Sequence, residues 1–136
     1  MWSRCLQSGL ESTKPSPRRG TELDRVGREV EALLLPAVMR YNAPVTAARL
    51  EVVAQVMAPS ATGAGIGAGA GLGDRAAAIV ESFLRRLGVP SRLRDAGVDR
   101  QAIPQIVAHT LDDWVITQIP RPISREGLHA LLAAAW

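Results

Sequence analysis

The chain of 136 residues is poor in the groups that usually carry chemistry: one cysteine (Cys5), two histidines (His109 and His129) and a single lysine, Lys14. One thiol excludes an internal disulfide framework and a cysteine-based zinc site. A lone lysine in the N-terminal stretch excludes a Walker loop, whose Gly-rich turn must end on Lys. No Gly-x-Ser-x-Gly elbow occurs, and no Ser or Cys is accompanied by both a base and an orienting acid in a known order. Long apolar runs are also missing. Stretches such as residues 32–38 fall far short of the roughly 20 residues that a membrane span requires, so no bilayer-crossing segment is expected.

What is present suits a folded domain. Hydrophobic residues make up 47% of the chain and charged residues 21%. A domain of this length can bury roughly two-thirds of the surface that its unfolded chain exposes. The net charge of +3 is unevenly placed. Residues 1–20 hold Arg4, Lys14, Arg18 and Arg19 against Glu11, whereas residues 21–136 balance twelve Arg with twelve Asp or Glu. A nucleic-acid binder carries its basic surplus on the folded face that meets phosphates, and here that part is neutral with few aromatics for stacking, which argues against a nucleic-acid partner.

Residues 1–20, with Ser3, Ser8, Ser12, Ser16, Pro15 and Pro17 and no apolar period, read as a disordered basic tail. The tail has neither the apolar core of a secretory signal nor the amphipathic stripe of a transit peptide, which points to the cytoplasm. Residues 21–136 read as an all-α domain. Thr21 and Asp24 resemble a capping box, and Leu23, Val26, Val30, Leu33 and Leu34 mark one helical face. Pro36 should kink or restart this helix, and Asn42-Ala43-Pro44 should stop it near Tyr41. A second helix over 46–57 would turn Leu50, Val53, Ala54 and Met57 inward before Pro59.

Residues 59–73 form a Gly/Ala-rich stretch in which Gly65, Gly67 and Ala70 give a Gly-x-Gly-x-x-Ala spacing. A dinucleotide fingerprint needs a strand before that turn, and here a helix and Pro59 precede it, so a linker is expected. Asp74 is placed to N-cap a third helix over 75–87, with Ala76, Ile79, Val80, Phe83, Leu84 and Leu87 as its apolar stripe and Gly88 as its stop. After a short turn, residues 99–104 lead into a fourth helix bearing Ile106, Val107, Thr110 and Leu111. The segment 114–119 suits an extended strip. Ser124 caps a last helix with Leu128, Leu131, Leu132 and Ala135 inward.

His109, Asp112 and Asp113 have helical spacing and make the sharpest local metal hypothesis, with His129 as a reserve donor. A solvated helix end gives the same pattern, and metal sites usually draw ligands from several elements. The expectation is therefore no catalytic, cofactor-binding or metal residue in the chain. Trp114 and Trp136 are expected to pack against helices rather than stack on a ligand.

Three stretches carry a resemblance: residues 29–44 (E-V-E-A-L-L-L-P-A-V-M-R-Y-N-A-P), residues 84–98 (L-R-R-L-G-V-P-S-R-L-R-D-A-G-V) with Ile103-Pro104 beyond, and residues 112–136 with Pro120-Arg121-Pro122-Ile123-Ser124-Arg125-Glu126 and the final L-L-A-A-A-W. In order and spacing they resemble the C-terminal helical domain of the iron-containing alcohol dehydrogenase family, of dehydroquinate synthase-like architecture, and in particular its maleylacetate reductase-like branch. The resemblance implies a two-domain NAD(P)-dependent oxidoreductase with an N-terminal Rossmann-like half. Members that use iron or zinc hold it through one Asp and three His on the helical half.

By the same resemblance, the last of those His falls on Gly27, and the His that often follows the motif's proline falls on Ala37. The expectation is a truncated C-terminal fragment without the Rossmann-like half, inactive alone. The alternative is a helical interaction module that pairs with a separate nucleotide-binding half. Self-association through a Leu23, Val26, Val30 and Leu34 face left uncovered is a further expectation.

Overall fold

A computed structural model describes the backbone of residues 17–58 and 71–136, with side chains from Gly27 onward except that of Leu72. All described secondary structure is helical. Helix α1 spans Pro17–Met57, α2 Leu72–Arg86, α3 Ile103–Asp112 and α4 Arg125–Ala135, with 3-10 turns at Arg100–Ala102 and Trp114–Gln118. The chain divides into two compact units: Leu34–Val89, and Pro90–Trp136 together with α1 up to Leu33.

Helix α1 corrects several expectations at once. It starts at Pro17, so residues 17–20 are helical and Thr21 is an interior residue rather than a cap. It also runs through Pro36 and Pro44 without ending. A proline removes one donor and leaves the carbonyl four residues earlier without its usual partner. Around Pro44, side chains supplement the ladder: Asn42 Nδ2 donates to the Val38 carbonyl at 3.1 Å, and Thr46 Oγ1 donates to the Asn42 carbonyl at 2.9 Å. Neither bond is to the Arg40 carbonyl that Pro44 leaves without its usual donor, so the two bonds accompany the passage of the helix through Pro44 and do not replace the lost one.

In the Leu34–Val89 unit, the later part of α1 packs against α2. Leu50, Ala54 and Ala76 form a buried cluster, with Met39, Ala43 and Ile79 against it. Small residues allow the approach to be close. A Cβ built on Gly73 would collide with the Cβ of Ala43 and meet Leu50 Cδ1 at 3.4 Å. Gly71 takes the N-cap position of α2 with no side-chain bond, and Asp74, expected there, sits inside the first turn. The expected linker thus ends at Gly71, and its residues 59–70, including Gly65, Gly67 and Ala70, lie outside the described residues.

Helix α2 ends as its glycine predicts. Gly88 has φ +78°, Gly88 N–H donates to Arg85 O at 3.1 Å, and Val89 N–H donates to Leu84 O at 3.1 Å. This pair of bonds is the Schellman arrangement, which a left-handed glycine makes possible. The same pair recurs nine residues on, where Gly97 (φ +84°) donates to Arg94 O at 3.1 Å and Val98 to Leu93 O at 3.0 Å. Both turns share the hexapeptide Leu-Arg-x-x-Gly-Val, residues 84–89 and 93–98.

In the other unit α3 packs against α4. Val30, Leu93, Ile103, Val107, Leu128 and Leu132 are each 2% exposed or less, so apolar faces from the whole unit are buried. Asp99 accepts from Gln101 N–H at 2.9 Å and starts the 3-10 turn that leads into α3. Asp113 does the same for Val115 at 3.0 Å, so residues 114–118 form a second 3-10 turn, not the expected extended strip. Ser124 caps α4, its Oγ accepting from Gly127 N–H at 3.1 Å.

Three inward assignments also fail. Met57, Phe83 and Leu87 are 39%, 40% and 64% exposed, because periodicity marks the apolar face of a helix but not how far a partner runs along it. Val30 and Leu34, expected to be left uncovered, are buried; Leu23 and Val26 have no described side chains.

Two of the helical glycines, Gly73 and Gly27, should respond oppositely to alanine. Gly73→Ala overpacks the α1–α2 contact and should cost about 1–3 kcal/mol. Gly27→Ala, whose Cβ meets nothing within 4 Å, should gain up to about 1 kcal/mol from helix propensity. Urea unfolding midpoints of the two variants against the parent check both.

Candidate functional site

The sequence-level metal candidates do not converge. Helix α3 carries His109 and Asp112, but Asp113, at its C-cap, spends a carboxylate oxygen on Val115 N–H. His129 is exposed on α4. Among the described residues, no three His, Cys, Asp or Glu side chains are gathered to hold a metal ion. Gly27 is buried in the helix with open space beyond its Cβ position and offers no donor atom. The described residues therefore do not fit the ligand set that the resemblance implies.

Two arrangements were not visible in the sequence. Arg40, on α1, pairs with Glu81 of α2 at 2.7 Å and lies 3.8 Å from Asp74. Arg75 approaches Glu51 at 3.9 Å. These pairs connect α1 with α2 beside their apolar contact. Arg40 and its partners are substantially solvated, so each pair is worth at most about 1 kcal/mol and serves mainly to fix alignment.

The second arrangement is built on the C-terminal residue. Trp136 Nε1 donates to the Val98 carbonyl at 3.0 Å, and the preceding carbonyl, Ala135 O, accepts from Leu93 N–H at 2.9 Å. The guanidinium carbons of Arg94 and Arg100 stand 5.8 and 5.2 Å from the indole centroid. An indole has an apolar ring and one donor, and this setting satisfies both while its electron-rich face attracts the cations. Trp136 thus packs as expected. Trp114 does not: it is 71% exposed on its 3-10 turn.

Electrostatics at the α4 terminus are local. Glu126 is held below its ordinary carboxylate range, first by its own backbone N–H and next by the Ser124 hydroxyl, with the Arg125 charge adding a smaller effect against slight desolvation. Elsewhere, the buried oxygens Asn42 Oδ1, Glu51 Oε2 and Thr110 Oγ1 have no hydrogen-bond partner among the described residues. Thr110 is 3% exposed, so its hydroxyl is a polar atom in an apolar setting, not a reactive group at a surface.

The model of the Fe-containing alcohol dehydrogenase family, C-terminal, matches residues 27–136. Lactaldehyde reductase of Escherichia coli (strain K12) is 34% identical over 105 residues, covering 77% of this chain and 27% of that protein. The same figures hold for lactaldehyde reductase of Escherichia coli O157:H7. A crystal structure of 1,3-propanediol oxidoreductase superposes with a TM-score of 0.71 at 23% identity, covering 99% of this chain and 32% of that one. The chain is therefore a member of the Fe-containing alcohol dehydrogenase family, corresponding to its C-terminal helical part. It spans 27% of the length of the curated relatives that it matches.

Two substitutions probe the polar groups. Glu126 has a lowered pKa in the folded state, so its contribution is present above the ordinary carboxylate pKa and lost as pH falls through the lowered one. Glu126→Gln should therefore reduce the melting temperature near neutral pH, and its difference from the parent should shrink below about pH 4. Thr110→Val, which removes a partnerless buried hydroxyl, should raise stability by about 1 kcal/mol in denaturant unfolding. A loss there would show that the hydroxyl has a donor or acceptor in solution.

Proposed function

We propose that the chain supplies the helical half of a cytoplasmic, NAD(P)-dependent oxidoreductase that reduces a carbonyl or enone group by hydride transfer. In this reading residues 1–136 are inactive by themselves and bind neither nucleotide nor metal. Nucleotide binding belongs to a Rossmann-like half, which the resemblance assigns to the family's N-terminal part. The observation that carries the reading is the family match across residues 27–136, joined to 34% identity with lactaldehyde reductase over 105 residues. That relative's name favours a small aldehyde as the substrate.

Metal-free operation, as in the maleylacetate reductase-like branch, is the finer proposal. Its support is Gly27 at the position where the resemblance places a ligating His, with Ala37 at the second. Such a half would contribute the packed wall of a cleft and not its reactive groups. The second reading is a non-catalytic helical module that pairs with a separate nucleotide-binding half.

Titration of NADH fluorescence and elemental analysis after dialysis test the proposal together. The purified chain should leave NADH emission unchanged and retain much less than one transition metal per chain. Saturable enhancement, or about one metal per chain, would overturn it and return attention to His109, Asp112, Asp113 and His129. Adding a separately expressed nucleotide-binding half of a relative separates the two readings. Carbonyl-dependent NADH oxidation supports the oxidoreductase half, and a stable complex without turnover supports the module.

A further inference from the structure

We draw no further inference here: the strongest candidate, the exposed apolar stripe of Val45, Val52 and Val56 on the outer face of α1, carries none because nothing in the structure shows what covers it.

Discussion

The close approach of Ala43 to Gly73 is the constraint on which the Leu34–Val89 unit depends. Two helices can come this near only where neither carries a bulky side chain, and the fully buried Ala54 and Ala76 extend the same condition along the contact. Once the backbones are close, Leu50 fills the space beside them and the Arg40–Glu81 and Arg75–Glu51 pairs fall within reach. The ion pairs are consequences of this spacing, since solvated charges could not hold the helices together unaided.

The helical character of the domain was legible because its apolar residues recur every three or four positions, and because Gly88 and Ser124 occupy places where their chemistry has one structural outcome. The continuity of α1 was not legible. Proline's effect was judged from the missing donor, so Asn42-Ala43-Pro44 reads as a stop and residue 46 as a new start, whereas Asn42 and Thr46 hydrogen-bond backbone carbonyls within one continuous helix. Asp113 posed the reverse difficulty. It has the right spacing for a metal ligand, yet its side chain starts the 3-10 turn that residues 114–118 adopt. The same side chain can cap or ligate, and spacing does not distinguish the two.

Within each unit, the polar contacts join residues far apart in sequence. Arg40 meets Glu81 across 41 positions, and Trp136 meets Val98 across 38. No local pattern encodes such pairings, although the terminal Trp was part of the motif on which the family resemblance rested. That resemblance and the hydrogen bond of Trp136 thus concern the same feature at two levels: a sequence motif with a terminal indole, and a turn at Val98 that offers a carbonyl to it. Among the described residues, by contrast, no three His, Cys, Asp or Glu side chains are gathered to hold a metal ion. At Gly27 the helix supplies space but no donor atom.

The two Leu-Arg-x-x-Gly-Val turns have a consequence at the level of the gene. Glycine codons reach other amino acids by one base change, and every residue so reached carries a Cβ. Gly88 and Gly97 hold a left-handed backbone, with φ of +78° and +84°, and a Cβ there disfavours that backbone by roughly 1–2 kcal/mol. Among the described residues neither site has a neighbour within 4 Å of the Cβ position, so the penalty comes from the backbone and does not depend on the size of the new side chain. A missense change at either codon therefore weakens the turn even when the replacement is as small as alanine, and repacking of the surroundings cannot repair it.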